Sequence, residues 1–195
     1  MLDPDSVARR NTSLALYGRD DVGHRKVFAL ARRLTELAPW CRFNYRSLEA
    51  PTGFEQTQDF DDKMRRVQDF LRGSDVLVTC LDNVGSRVSG ALAAKALGIV
   101  QIDGGVLGKR GQVLVTKFGE SPCLGCLGIN GSGRTSCMLS STTCSGALIA
   151  SLQAHLTIEH LHGRQVPAYV VADLESFQVK GVQVARNENC WICAS

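Results

Sequence analysis

Two short cysteine pairs, Cys123-Leu-Gly-Cys126 and Cys190-Trp-Ile-Cys193, constrain this 195-residue chain more than any other feature. A Cys-x-x-Cys turn presents two sulfurs on one side, and two such turns close a tetrahedral site of four thiolates around a zinc ion. The set has no histidine and no open position, so the spacing predicts structural zinc held by Cys123, Cys126, Cys190 and Cys193. The alternative for such a pair is thiol redox chemistry. A four-sulfur site must bring the second pair back onto the body of the chain. The other four of the eight cysteines, Cys41, Cys80, Cys137 and Cys144, show no such spacing.

Composition narrows the class. Apolar residues make up 44% and charged residues 21%, the balance of a globular chain. A net charge of +3 and 6% aromatics give neither the field nor the stacking surface for nucleic acid. No apolar run reaches the length of a membrane span, and the opening Met-Leu-Asp-Pro-Asp-Ser is unlike a signal peptide. These features predict a cytoplasmic protein. There, paired cysteines serve metal binding or redox chemistry rather than disulfides.

Periodicity gives the elements. Helices are predicted over 22–37, ending before Pro39, and over 60–71, ending at Gly73. Residues 41–48 alternate like a strand. Residues 75–81 (DVLVTCL) read as a parallel strand buried on both faces. An Ala-rich helix over 86–97 and a strand over 99–103 complete a βαβ order, followed by a strand over 112–117. A helix over 146–161 and an alternating hairpin over 168–184 close the chain. Between them, 128–144 is a Gly/Ser/Thr-rich stretch of the kind that forms functional loops. Cys41 and Cys80 fall in predicted strands and read as buried hydrophobes. His155, His160 and His162 read as helix-surface or core residues.

Asp82 follows the strand over 75–81. In open α/β sheets ligands bind beyond the carboxyl ends of the strands, where a carboxylate holds Mg²⁺ beside a nucleotide phosphate. Asp82-Asn83 equally suits the N-cap of the next helix.

The strings DVLVTCLDNVGSR, ALGIVQIDGGVLGKRGQVLV, SPCLGCL, IASLQAHLTIEHLHG and CWIC, in that order, resemble the ThiF/MoeB/HesA family of ubiquitin-activating-enzyme-like adenylyltransferases. DPDSVARRN resembles that family's acidic turn after its second strand, and Val22-Gly-His-Arg-Lys26 its helix start. The resemblance implies one ThiF-like domain over 1–195. Its fold would be Rossmann-like with a mostly parallel sheet, truncated at the N-terminal βαβ unit, and a zinc-stapled antiparallel C-terminal region. It implies that Asp3 binds the ATP ribose, that Asn11 and Lys26 lie at the phosphates, and that Asp82 holds Mg²⁺. Arg87 would be the structural arginine of the DNxxxR motif, and the four paired cysteines the zinc ligands.

The resemblance also implies a mobile crossover loop over 128–144 carrying an acceptor thiol, Cys137, with Cys144 as the alternative. The partner would be a ubiquitin-like or sulfur-carrier protein whose C-terminus is adenylated, and the assembly a homodimer or a heterodimer with a nucleotide-binding subunit. Two departures stand out: no Gly-x-Gly-x-x-Gly occurs in the sequence, and Leu14 stands where the family has an arginine. A longer parent chain or a partner is expected to supply the phosphate loop. The competing reading is a non-catalytic scaffold half of a heterodimeric activating enzyme.

Overall fold

The computed structural model describes residues 1–13, 16–52, 58–129 and 142–194. They divide into two compact units, Met1–Glu49 and Ala50–Ser195.

The first unit is built around α1 (Lys26–Leu37), whose Val27, Ala29 and Ala31 are buried. A 3₁₀ turn over Arg9–Ser13 and a second over Arg19–Asp21 precede it. The strand predicted over 41–48 is absent. Only Arg46 makes an isolated parallel bridge to Leu2, and Cys41 is exposed rather than buried.

The second unit holds a five-stranded sheet among the described residues. In chain order its elements are α2 (Gln58–Leu71), β1 (Val76–Thr79), α3 (Val84–Leu97), β2 (Val100–Leu107), β3 (Arg110–Thr116), α4 (Thr143–Leu161), β4 (Tyr169–Asp173) and β5 (Gln178–Gly181). The strands lie side by side in chain order. Only β1 and β2 run parallel, joined through α3, with Val76 opposite Val100. The pairs β2–β3, β3–β4 and β4–β5 are antiparallel, so the mostly parallel sheet expected from the sequence is corrected to a mixed one. Connection length is the cause. A parallel return needs about a dozen residues, whereas β2 and β3 are joined by the tight turn Gly108-Lys109, with Gly108 at φ 61°.

Period-two alternation sends neighbouring side chains to opposite faces of this sheet. Leu114 joins Val88 and Ala91 of α3 and Cys123, Leu124, Cys190, Ile192 and Cys193 in one buried cluster. Val113 and Val115 join Ile102, Val170, Ala172 and the α4 residues Ile149 and Leu156 in another. The cysteine turns and α3 therefore cover one face and α4 the other. Two adjacent glycines of β2 permit this. A Cβ on Gly104 would meet the Gln153 amide of α4 at 2.3 Å, and one on Gly105 the Arg87 guanidinium of α3 at 3.0 Å.

Helix α3 is capped at both ends. The Asn83 side chain accepts from Ser86 N at 2.8 Å, and Gly98 closes the helix in the left-handed region. Strand β1 differs from its sequence reading. Val78 is 43% exposed and Cys80 is exposed, because among the described residues β1 has a neighbouring strand on one side only.

Candidate functional site

Three groups of side chains carry chemistry. In the first unit, Lys26 Nζ lies 2.7 Å from Asp5 Oδ2 and 3.8 Å from Asp3 Oδ2. Partial burial works against the ammonium, but the hydrogen bond to Asp5 and the charge of Asp3 outweigh it and raise its pKa. Tyr17 stands in the same field. Its pKa is raised, first by burial and then by Asp3, with Lys26 opposing. The structure thus brings Asp3 and Lys26 together, and adds Asp5 and Tyr17, which sequence reasoning missed. Asp5 was legible as the second acid of the Asp-x-Asp turn, where its N–H donates to Asp3 Oδ1 at 2.8 Å. Asn11 turns inward instead, its Oδ1 accepting from Ala8 N at 2.8 Å.

In the second unit Asp82 is exposed between the end of β1 and the start of α3. Asn83, not Asp82, caps the helix, and the Asp82 carboxylate accepts from Asn83 Nδ2 at 3.4 Å. One turn further along α3, Arg87 donates through Nε (3.0 Å) and Nη2 to Asp103 Oδ2. Asp103 is fully buried, and its other oxygen accepts from Thr79 Oγ1 at 2.6 Å. Gln101 Nε2 donates to Thr79 Oγ1 at 3.1 Å, while its Oε1 has no hydrogen-bond partner among the described residues. On the opposite face Gln153 Nε2 donates to Thr79 O at 2.9 Å and Ile102 O at 3.2 Å. This buried polar strip fixes β1, β2 and α3 to one another just beneath Asp82. Its signal in the sequence is an aspartate inside an apolar strand, since a buried carboxylate requires a partner.

The third group is the cysteine centre. The sulfurs of Cys123, Cys126, Cys190 and Cys193 all lie within 4.8 Å of one another. Cys123 and Cys190 are 3.4 Å apart, Cys126 and Cys193 3.5 Å, and Cys123 and Cys126 3.9 Å. A tetrahedron with metal–sulfur bonds of ~2.3 Å has edges of ~3.8 Å, so the donor set fits zinc in type and spacing. Burial raises the pKa of Cys123, with the neighbouring thiols adding to the effect. Burial also opposes ionisation of Cys190, but hydrogen bonds from the backbone of Cys193 and Ile192 bring it down to about 7. Gly125 is required between the first two ligands, because a Cβ there would sit 2.7 Å from Cys190 Sγ.

The remaining candidates are apart from these groups. Cys137 and Leu14 lie outside the described residues. Cys144 is exposed in the first turn of α4, which begins at Thr143 behind the N-cap Thr142. The Cys80 thiol donates to Gln153 Oε1 at 3.4 Å, and desolvation raises its pKa. His155 and His162 are exposed and His160 is half-buried, as helix-surface residues.

A mixed sheet with α3 and a four-cysteine centre on one face and α4 on the other defines an α/β protein closed by two cysteine turns. The ThiF family profile matches residues 1–192, and the chain belongs to the ThiF family. Solved structures share the fold. E. coli MccB with ATP is 15% identical with a TM-score of 0.77, the match covering 98% of this chain and 57% of MccB. MccB in complex with N-formylated MccA is 14% identical with a TM-score of 0.76, covering 98% of this chain and 59% of that one. PaaA is 16% identical with a TM-score of 0.69, covering 94% and 63%. The chain therefore spans 57–63% of the length of these structures. No curated relative matches it. Among the described residues, no helix is long and apolar enough to cross a membrane.

Proposed function

We propose that this chain adenylates, or helps to adenylate, the C-terminal carboxylate of a ubiquitin-like or sulfur-carrier protein. The observation that carries the reading is Asp82, a carboxylate presented at the carboxyl end of β1 on a base locked by the Thr79–Asp103–Arg87 strip. Membership of the ThiF family and the capture of MccB with ATP and with N-formylated MccA support a nucleotide and a second molecule as co-substrates. A carboxylate oxygen attacks the α-phosphorus of ATP, the bond to the bridging oxygen breaks, and pyrophosphate leaves with the electron pair. Asp82 would hold Mg²⁺, whose chemistry is to neutralise charge at the phosphates. Asp3 would bind the ribose, with Lys26 and Asn11 at the phosphates. Lys26, already charged and paired with two carboxylates, exchanges those partners for phosphate oxygens when the nucleotide enters. The glycine-rich phosphate loop comes from a longer parent chain or a nucleotide-binding partner, in a homodimer or heterodimer of a cytoplasmic pathway.

Where a thioester follows, the Cys137 thiolate attacks the acyl carbon and AMP leaves. Cys144 is the alternative nucleophile. Cys123, Cys126, Cys190 and Cys193 would hold zinc, which would supply a structural crosslink and leave those thiols unavailable for redox exchange.

Isotope exchange between pyrophosphate and ATP, with the carrier and the loop-bearing chain present, tests the reading. Asp82→Asn abolishes exchange, because an amide does not replace the charge. Cys137→Ala preserves exchange and removes any thioester seen without reductant. Exchange that survives Asp82→Asn, or that never occurs in the wild type, replaces this reading with the non-catalytic scaffold.

A further inference from the structure

Helix α4 carries apolar residues on two sides. Ile149, Gln153 and Leu156 are buried toward the sheet. On the other side Cys144, Ala147, Ser151, Ala154, Ile158 and Leu161 are exposed, Ile158 to 53% and Leu161 to 57%. Their spacing alternates between three and four residues, the 3.5-residue repeat of a helix seam. Helix α2 of the same chain shows an ordinary solvated face, where Asp61, Arg65, Arg66 and Asp69 are exposed. Over its 19 residues α4 has no lysine, arginine or aspartate, and one glutamate, Glu159. A helix that is apolar all round is a helix that is covered all round.

The taper of the stripe identifies its occupant. Side chains are small at the N-terminal end (Cys144, Ala147) and large at the C-terminal end (Ile158, Leu161). A two-fold axis midway between Ser151 and Ala154 reverses one copy of the helix against the other. It sets Cys144 against the partner's Leu161, Ala147 against the partner's Ile158, and Ser151 against the partner's Ala154. Small then meets large at both ends, which is what close packing requires. A parallel pair would stack Ile158 on its own copy and leave a gap at Ala147. Charge agrees with the reversal. Glu159, whose Oε1 is paired with Arg164 at 2.7 Å, comes beside the first turn of the second α4, where a helix N-terminus favours negative charge. Gly146 in that turn leaves room, because a Cβ there would meet nothing within 4 Å. We propose that the exposed stripe of α4 is a self-association surface, on which a second copy of this chain lays its own α4 antiparallel. The contact is isologous, the same patch serving both copies. It goes beyond the adenylation reading, and no part of it depends on a nucleotide. One consequence is that the dimer covers Cys144 and withdraws its thiol from reagents in solution.

Sedimentation velocity of the full chain over a range of concentrations tests it, with circular dichroism confirming that each variant is folded. Wild type is expected to pass from monomer to dimer as concentration rises, and alkylation of Cys144, followed by mass spectrometry, to slow in step. Ser151→Arg brings like charges together near the axis and is expected to weaken the dimer about 100-fold or more. Arg66→Glu, on the exposed face of α2, is the control and leaves the dimer unchanged. Ala147→Arg and Ile158→Glu are each expected to weaken it. The double variant sets each new arginine opposite a new glutamate and restores association. If Ile158→Glu does not fold, Ser151→Arg and the alkylation of Cys144 carry the test. A wild type that stays monomeric at every concentration, or a dimer indifferent to Ser151→Arg, overturns the surface. A double variant no better than its single parents overturns the antiparallel register. Pyrophosphate exchange is not read in any of these measurements, so failure here and failure of the adenylation reading are told apart.

Discussion

At the residue scale, two positions are governed by what lies against them rather than by their own chemistry. Gly125 sits inside the first cysteine turn, and a methyl group there would lie 2.7 Å from Cys190 Sγ and 3.2 Å from Ile192. A sulfur held by a metal would have no room to retreat, so, with zinc as the occupant proposed above, Gly125→Ala is expected to abolish stoichiometric zinc while a control such as Gly146→Ala, with nothing near its Cβ, retains it. Metal analysis of the purified variants decides, and full zinc content in Gly125→Ala would refute the close approach. Asp103 is fully buried against Arg87 and Thr79. Removing one partner of a buried pair leaves the other uncompensated, at a cost of about 3–5 kcal/mol. Urea unfolding of Asp103→Asn should show a loss near that range, and a change under ~1 kcal/mol would mean that the pair does not hold α3 to β2. The gathering of Cys123, Cys126, Cys190 and Cys193 was legible because their spacing is itself the signal. Asp103, Thr79, Gln101 and Gln153 were not, because their roles depend on which strands become neighbours.

At the element scale, helices were read more faithfully than strands. The helix stripes over 22–37 and 60–71 resolve into α1 and α2 because a 3.6-residue period is a local property. The direction of a strand is not local. β2 and β3 each look like any apolar run, and only the two-residue turn between them dictates antiparallel pairing. The run over 41–48 alternates but gains only a single bridge, at Arg46, so its pattern found no partner to express it. The hairpin β4–β5 was legible, and its turn carries a test. Asp173 Oδ1 accepts from Glu175 N at 2.8 Å and Ser176 N at 3.4 Å, and Oδ2 from Arg110 Nε at 3.1 Å. The Glu175 N–H is the main cause of its lowered pKa, with Ser176 and Arg110 adding to it. A carboxyl whose folded pKa is depressed stabilises the turn above its unfolded value, about 3.9, and loses that contribution as pH falls through the folded value. The Glu175 amide resonance should therefore titrate with a midpoint below the ordinary aspartate range. A midpoint at or above that range would show the carboxylate free of the turn.

At the scale of the whole molecule, the cysteine centre belongs to the core rather than being an accessory clip. Cys123, Cys190 and Cys193 share a buried cluster with Leu114 of β3 and Val88 and Ala91 of α3, while α4 covers the other face through Ile149 and Leu156. A metal bound there would be linked to the folding of one side of the sheet. A ligand present at 1,000 times its dissociation constant stabilises by about 4 kcal/mol. At ~2–4 °C per kcal/mol for a chain of this size, removing zinc should lower Tm by about 8–16 °C. Location separates this coupling from a general loss of stability. Hydrogen exchange after chelation should accelerate first over 123–129, 186–194 and α3, which lie on the cysteine face, while the amides of α4 keep their protection longer. The Ser86 amide, bonded to the Asn83 cap beside Asp82, belongs to the sensitive group. Its early exposure would connect the metal centre physically to the candidate Mg²⁺ carboxylate. Protection lost equally from α3 and α4, or unchanged at Ser86, would show instead that the two sites are energetically independent.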